Sequence, residues 1–218
     1  MIISQLKTLW LTLLTTFAAT FLVAASARAQ PSVLTRSYNN QRTGENNQEY
    51  ILTPNNVNAS TMSLLKTLKV PDQVYAQILY VPAVTMSSGP ANLIVVADVS
   101  NTVSVFDADT YAQYWQTQFA APINVGNNGT PGSCCNFTGN VGIVGTPVIV
   151  PQSVGYSIYF VTRTAANPNV TYKLWNVNLS NGLANQSVVI ASPSGFTPSF
   201  NSYFENQRSA LLYANGQI

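Results

Sequence analysis

Histidine does not occur anywhere in this chain of 218 residues. Its absence excludes Ser-His-Asp and Cys-His catalysis, imidazole metal ligands and histidine acid/base chemistry within these residues. Any chemistry therefore requires carboxylates, Lys, Tyr, Cys or a cofactor. Charged residues are also scarce, at 7 % of the chain against roughly 25 % in an ordinary soluble domain. The basic residues form no cluster, so we expect no nucleic-acid partner.

Sustained helical periodicity is also lacking, which argues against a helical repeat protein. Hydrophobic residues make up 46 % of the chain and aromatic residues 11 %, so the chain is too apolar to be disordered. Asn, Gln, Ser and Thr carry its polarity in place of charges. We therefore expect a folded protein that buries a substantial core in one or two domains.

Residues 1–29 have the pattern of a secretory signal peptide. Lys7 supplies a positive start, Leu9–Val23 an apolar core, and Ala27–Ala29 a small-residue cleavage site. An uncleaved membrane anchor is the alternative, because the apolar stretch nearly spans a bilayer. The small residues at its exit favour cleavage, which leaves 7 basic and 7 acidic residues. We then expect a near-neutral, secreted or periplasmic protein in an oxidising compartment, without a stable membrane span.

From residue 74 onward, apolar segments alternate with turn-rich links, which predicts strands. The first set of four comprises 74–81, 93–99, 102–106 and 114–119. After a loop rich in Gly and Asn over 120–140, the second set comprises 142–150, 157–163, 171–177 and 186–190. In the polar segment before them, 30–73, we expect a helix start at Thr53–Val57 and an exposed strand at Leu64–Val70.

A third set opens at Ser209–Tyr213 and turns at Asn215–Gly216. Asn-Gly is among the strongest short hairpin signals, so a partner strand is expected directly after it. The pattern therefore predicts that the chain is cut within a repeat.

The link between the third and fourth strands is similar in the two complete sets. An apolar strand runs into a polar turn at Asp107 and again at Asn178. When these two residues are aligned, Tyr111 meets Gly182. Short Asx and hydroxyl side chains bond their own backbone in such turns, and Gly tolerates positive φ. A repeated hairpin predicts a repeated four-stranded unit.

These turns resemble the repeat of quinoprotein-type β-propellers, in which a strand ends in Asp or Asn, a Thr-Gly turn follows, and a Trp lies a few residues on. Asp107, Thr110 and Trp115 match in the first copy, and Asn178 and Gly182 match in the second. Further segments look like other parts of secreted members of this superfamily: Arg36–Asn46, Leu52–Val57, Leu64–Val70, Gln73–Gln77 and Gly142–Ile149.

The resemblance implies an all-β fold, a partial β-propeller of four-stranded antiparallel blades over residues 74–218. Two blades and the start of a third follow the signal peptide, 1–29, and an N-terminal extension with an entry strand, 30–73. The chain would then be a C-terminally truncated fragment of such a protein. One fold hosts many functions, so the resemblance is less specific for activity.

The leading functional hypothesis is an exported, non-catalytic propeller module that binds a ligand, protein or polymer, or acts as a scaffold. One alternative is a fragment of an alcohol dehydrogenase that depends on pyrroloquinoline quinone. Another is a carbohydrate-binding propeller that uses exposed aromatic residues. If the protein is an enzyme, the resemblance implies a quinoprotein dehydrogenase.

Cys134 and Cys135 are the sharpest local feature for chemistry. Adjacent cysteines can close a strained disulfide ring in an oxidising compartment, although the geometry is demanding. In quinoprotein dehydrogenases such a ring lies against pyrroloquinoline quinone, so the resemblance implies a cofactor site here, with calcium as a further ligand. A loop disulfide or two free thiols without a cofactor is the alternative. Two cysteines alone make a poor zinc site.

Several other side chains are candidate site residues. Asp98, Asp107 and Asp109 are the acids nearest a repeat, and the last two belong to a turn, where Asp is ordinary. Trp115 and Trp175 suit a sugar or quinone site, but aromatic residues in such strands more often fill the space between sheets. Arg42 and Arg163 can bind a carboxylate with two hydrogen bonds. Six Asn-x-Ser/Thr sequons occur, at Asn58, Asn128, Asn136, Asn169, Asn178 and Asn185.

Overall fold

The computed structural model describes residues 31–125, 137–166, 169–192, 195, 197 and 199–218, and this part of the chain is all-β, without a helix. The signal peptide predicted at 1–29 lies outside the described residues. The strands, in chain order, are β1 Leu79–Met86, β2 Gly89–Ala97, β3 Thr102–Asp107, β4 Gln113–Gln118, β5 Ile123–Val125, β6 Gly139–Val141, β7 Val148–Pro151, β8 Tyr156–Ala166, β9 Asn169–Asn178 and β10 Ala184–Val189.

Eight of the strands form two four-stranded antiparallel sheets, each built from consecutive strands. Sheet 1 has the order β1-β2-β3-β4, and sheet 2 has the order β7-β8-β9-β10. β5 and β6 form a separate antiparallel pair. For the described residues, the prediction of an all-β fold with two sets of four strands is confirmed. Short hairpins connect neighbours, as antiparallel pairing allows.

The first strand of each sheet begins later than predicted. The predicted segments 74–81 and 142–150 are wrong in their first parts, because β1 and β7 begin further along the chain. The residues before them form approach segments that bond to each other, with the Gln77 N–H donating to the Thr146 hydroxyl at 3.0 Å. Because the Gln77 N–H bonds to a side chain, it does not pair with a neighbouring strand.

Two predictions in the N-terminal extension are wrong. Thr53–Val57 forms a single turn, closed by the Val57 N–H donating to the Thr53 carbonyl at 3.0 Å, and no helix follows. One turn does not offset the entropy of ordering its residues unless an apolar face continues it. Leu64–Val70 is not a strand, and Leu64 is 83 % exposed.

The predicted third set is confirmed only at its turn. Ser209–Tyr213 is not a strand, although the Leu211 N–H donates to the Thr146 carbonyl at 3.0 Å. Asn215 and Gly216 have φ of 52° and 78°, and the residues on either side exchange two backbone hydrogen bonds of 3.0 Å. This is the geometry of a two-residue hairpin turn with positive φ at both central residues.

Except for Val141, the β5-β6 pair lies within 120–140, where the sequence predicts only a loop. Each strand is three residues long, and register pairs Ile123 with Val141 and Val125 with Gly139. So short a segment among Gly and Asn residues carries little strand signal in the sequence.

The turns at Asp107 and Asn178, which the sequence predicts to be equivalent, share three hydrogen bonds. We call these turns the two corners. The N–H groups of Asp107 and Asn178 each donate to the carbonyl five residues later, at 2.8 and 2.9 Å. Their carbonyls accept from the N–H four residues later, and that residue has positive φ in both cases, 63° at Tyr111 and 72° at Gly182. Each side-chain Oδ1 accepts from the N–H two residues later at 2.9 Å. The local repeat is therefore a structural one.

A hydrophobic core lies between the apolar faces of sheet 1 and sheet 2. Phe119, just after β4, lies edge-on to Phe160 of β8 at 4.8 Å and near Trp175 of β9 at 5.3 Å. Fully burying a side chain of this kind contributes about 1.5–3 kcal/mol. Buried members from the two sheets include Leu79, Val81, Leu93, Val95, Val103, Val105, Ile149, Ile158, Phe160 and Val177.

The N-terminal segment joins the first strands of the two sheets. Val33 exchanges two backbone hydrogen bonds with Tyr80 of β1, at 2.8 and 3.0 Å. The next residue, Leu34, accepts a hydrogen bond of 2.8 Å from the Ile149 N–H of β7. One short stretch of chain therefore bonds to β1 and to β7.

Candidate functional site

Both carboxylates of the first turn, Asp107 and Asp109, accept hydrogen bonds within sheet 1 and its turn. Asp107 Oδ1 accepts from the N–H groups of Asp109 and Thr110 at 2.9 and 2.6 Å, and Oδ2 accepts from the Tyr114 hydroxyl at 2.9 Å. These bonds, the Thr110 N–H first, hold the pKa of Asp107 below its usual value. Asp109 Oδ2 accepts from the Asn92 side chain at 2.9 Å. Both acids therefore have structural partners.

Trp115 of β4 connects sheet 1 to the second corner. Its indole N–H donates to the Leu179 carbonyl at 2.9 Å. Its ring lies against Gly182, where an added Cβ would approach two ring atoms to 2.8 Å. Trp175 also packs against the core, and its indole N–H donates to the Thr162 hydroxyl at 2.9 Å. The two tryptophans singled out in the sequence therefore serve packing.

Asp98 lies in the tight link between β2 and β3. Its Oδ1 accepts from the Ser100 N–H at 2.8 Å and from the Ser100 hydroxyl at 2.5 Å. Burial raises the pKa of Asp98, the Ser100 bonds oppose that rise, and the nearby Asp72 adds to it. With 1 % of its surface exposed, Asp98 is out of reach of a substrate in solution.

Asn101, in the same link, connects sheet 1 to sheet 2 with two hydrogen bonds. Its Nδ2 donates to the Arg163 carbonyl at 2.8 Å, and its Oδ1 accepts from the Arg163 N–H at 3.3 Å. One side chain thus supplies both partners to a backbone unit of β8. The Arg163 guanidinium is buried and lies 5.6 Å from the centre of the Tyr172 ring. Nothing in the sequence except a polar turn indicates this pair of hydrogen bonds between the sheets.

A polar cluster around Arg42 joins the N-terminal segment to the C-terminal one. The Arg42 guanidinium donates to the Thr35 hydroxyl at 2.6 Å and to the Leu211 carbonyl at 3.0 Å. The Ser37 N–H donates to the Gln77 side chain at 2.9 Å. The approach segments of β1 and β7 and the segment near Leu211 therefore meet here.

Equivalent rows of side chains cross the two sheets. In sheet 1, Val95, Val105 and Trp115 lie side by side on β2, β3 and β4. Aligning the corners places Tyr159, Asn176 and Gln186 of sheet 2 in the same row. The next row is Ala97, Val103 and Thr117 in sheet 1, and Val161, Leu174 and Val188 in sheet 2.

The two sheets differ in what covers these rows. In sheet 1 they lie in the core against sheet 2, and Val105 is fully buried. In sheet 2, Val161 is buried in a second core cluster, and the other five residues of these rows line a shallow cavity of about 160 Å³. We call Tyr159, Leu174, Asn176, Gln186 and Val188 the open face of sheet 2. It carries no charged side chain.

The sequence-predicted cofactor residues Cys134 and Cys135 lie outside the described residues. Within the residues that the structure describes, no three His, Cys, Asp or Glu side chains are grouped so as to hold a metal ion. The same residues include no helix with the length and hydrophobicity of a membrane span.

No protein-family model, curated protein or solved structure matches this chain.

The corners at Asp107 and Asn178 are predictable from the sequence, but their contacts with the neighbouring sheet are not. Trp115 and Gly182, which lie against each other between sheet 1 and sheet 2, carry a visible signal, because each belongs to the aligned turn. Their contact with each other depends on how one sheet lies on the next, which a local motif does not encode. The open face was missed for the same reason.

Proposed function

We propose that this chain is an exported, non-catalytic module of the β-propeller type, related to the quinoprotein-type propellers, which acts by binding or scaffolding. The observation that carries the proposal is the joint between sheet 1 and sheet 2. Trp115 of the first repeat lies on Gly182, the left-handed residue of the second repeat's corner. In the proposed arrangement, the two sheets are successive blades.

The N-terminal segment supports the arrangement of blades about an axis. Val33 bonds to β1 and Leu34 to β7, which are the first strands of the two sheets. First strands lie innermost in a propeller whose blades are built from consecutive strands. A segment that bonds to both first strands is expected near such an axis.

The bonding of the carboxylates favours a binding or scaffold role over catalysis. Asp98 and Asp107 each accept hydrogen bonds from residues of their own turn, and Asp109 accepts one from Asn92. Asp98 and Asp107 therefore act as turn-forming groups, and Asp109 ties the turn to β2. Binding by faces and corners of stacked sheets needs none of them to be free.

Titration with pyrroloquinoline quinone and calcium tests the proposal. The protein is mixed with both, and alcohol-dependent dye reduction is measured next to a Cys134→Ser, Cys135→Ser double variant. The proposal expects no saturable, quinone-dependent dye reduction in either protein. Saturable reduction by the unaltered protein that the double variant loses would overturn it and establish the dehydrogenase alternative.

A further inference from the structure

The dipeptide Asn-Gly occurs three times in the chain, and the structure gives two of these pairs contrasting surroundings. Asn128–Gly129 lies outside the described residues. Asn181–Gly182 belongs to the second corner, whereas Asn215–Gly216 forms an exposed hairpin turn. The glycine has positive φ in both described pairs, 72° at Gly182 and 78° at Gly216. The dipeptide and the backbone conformation of its glycine are therefore shared, and the surroundings differ.

Asparagine followed by glycine is prone to a spontaneous reaction of its side-chain amide. The backbone nitrogen of the glycine gives its proton to a base and attacks the side-chain carbonyl carbon of the asparagine. A new C–N bond closes a cyclic imide, the bond to the side-chain nitrogen breaks, and that nitrogen leaves as ammonia with the returned proton. Water then opens the ring at either carbonyl, which gives aspartate or isoaspartate. Glycine favours the attack because it has no side chain to shield its nitrogen.

The second corner opposes this reaction at Asn181. The Gly182 N–H donates to the Asn178 carbonyl at 2.9 Å, so the attacking nitrogen is held in a hydrogen bond. Asn181 Oδ1 accepts from the Leu183 N–H at 2.9 Å, which restrains the carbonyl that must be attacked. Gly182 is also buried against the Trp115 ring. Reaction at Asn181 therefore requires the corner to open first.

The exposed turn imposes none of these restraints on Asn215. Both Asn215 and Gly216 are exposed, and nothing lies within 4 Å of a Cβ placed on Gly216. Among the described residues, none accepts a hydrogen bond from the Gly216 N–H or bonds to the Asn215 side chain. The two backbone hydrogen bonds that close the turn join Ala214 and Gln217 instead, each at 3.0 Å. The Gly216 nitrogen and the Asn215 side chain are therefore free to meet and open to water.

We propose that Asn215 is a site of spontaneous deamidation in the folded protein, and that the fold protects Asn181 from the same reaction. Either product adds a negative charge to a chain with 7 Asp and Glu residues. Isoaspartate also inserts a methylene into the backbone between Ala214 and Gln217. Because the length of a turn fixes the register of the residues it joins, their paired hydrogen bonds are then lost. The modification loosens this end of the described chain.

Peptide mapping by mass spectrometry tests the proposal on the full chain, incubated at mildly alkaline pH. The readout is the mass gained when an amide becomes a carboxylate, and chromatography separates aspartate from isoaspartate. In the folded protein we expect deamidation at Asn215 to be at least about tenfold faster than at Asn181. In guanidinium chloride the corner is unfolded, so the two rates should become similar. Asn215→Gln keeps an amide but requires a larger ring, so it should lose the product at 215 and leave Asn181 unchanged.

The remaining outcomes each count against the proposal. Equal rates at Asn215 and Asn181 in the folded protein would overturn it. So would an unreactive Asn215 in the folded protein over a period in which the unfolded chain reacts there. A difference that persists unchanged in guanidinium chloride would assign the selectivity to neighbouring residues in the sequence and not to the fold. A mass gain that Asn215→Gln retains would place the reaction at another residue.

Discussion

The Trp115 indole ring lies against Gly182 between the two sheets and leaves no space for a side chain on Gly182. A Cβ on Gly182 would lie 2.8 Å from two atoms of the indole ring. Gly182 also has φ of +72°, in the left-handed region that disfavours a side chain. Backbone conformation and packing therefore both require glycine at this corner.

Replacing Gly182 by Ala should destabilise the protein more than replacing Gly155 by Ala. Both glycines have φ of +72°, so both variants share the left-handed strain of about 1–2 kcal/mol. Nothing lies within 4 Å of a Cβ at Gly155. The clash with Trp115 should add about 1–3 kcal/mol at Gly182 alone. Urea unfolding measures the difference, and equal losses would contradict the joint.

The same comparison in a Trp115→Ala background isolates the contact. Without the indole, Gly182→Ala should cost only as much as Gly155→Ala, because the strain remains and the clash does not. The coupling in this double-mutant cycle is the expected signature. A cost at Gly182 that persists unchanged in the Trp115→Ala protein would show that something other than the ring opposes the Cβ.

Asn101→Asp should lower the free energy of unfolding, because it removes the hydrogen bond to the Arg163 carbonyl. The carboxylate can still accept from the Arg163 N–H, but it cannot donate to the Arg163 carbonyl, which Asn101 does at 2.8 Å. Leaving a buried carbonyl without a donor costs about 1–3 kcal/mol in the free energy of unfolding. Asn55→Asp, on an exposed residue, is the control and should change it by less than about 0.5 kcal/mol. Similar losses in thermal or urea unfolding would argue against this hydrogen bond.

Tyr111→Gly should stabilise the first corner. Tyr111 has φ of 63°, a conformation that costs a non-glycine residue about 1–2 kcal/mol. Part of that gain is offset because glycine raises the conformational entropy of the unfolded chain, which lowers the free energy of unfolding by about 0.4–1 kcal/mol. Thr110, at the preceding position, does not have positive φ, so Thr110→Gly relieves no backbone strain and should lower the melting temperature. A lower melting temperature in both variants would contradict the equivalence of Tyr111 with Gly182.

Asp98 and Asp107 should affect the pH dependence of stability with opposite signs. The pKa of Asp107 is lowered in the folded state, chiefly by the Thr110 N–H, so its contribution is present at neutral pH. That contribution is lost as pH falls below the unfolded value of about 3.9 and through the folded pKa. Asp107→Asn should therefore destabilise most at neutral pH.

Burial raises the pKa of Asp98 in the folded state, so the folded form takes up a proton more readily than the unfolded chain. Its charge opposes folding above the folded pKa, and that cost disappears as pH falls through it. Asp98→Asn should stabilise the protein at neutral pH, with a benefit that shrinks on acidification. Urea unfolding at a series of pH values compares the two variants, and shifts of the same sign would contradict these environments.

The parts of the fold that the sequence predicts are those with local causes. The corners at Asp107 and Asn178 were predictable because Asx side chains bond the backbone within a few residues. The turn at Asn215–Gly216 was predictable because positive φ is favourable for that pair. Apolar runs located the strands of both sheets, although not their first residues.

The parts that escaped prediction depend on contacts distant in sequence. Asn101 looks like any turn residue until β8 places the Arg163 backbone against it. Leu64–Val70 has the pattern of a strand, but it has no neighbour to pair with among the described residues. The predicted cofactor residues Cys134 and Cys135 lie outside the described residues, so that prediction stays a prediction.

The measurement that tests the account most directly is nuclear Overhauser contact between the Trp115 indole and the Gly182 α protons. If the two sheets are equivalent units stacked corner to face, the Gly182 α proton that stands where a Cβ would be shows strong contacts and a ring-current shift, because that direction points at the indole ring. A Trp115 indole without contacts to Gly182, free in solvent or packed on its own sheet, would contradict the stacking.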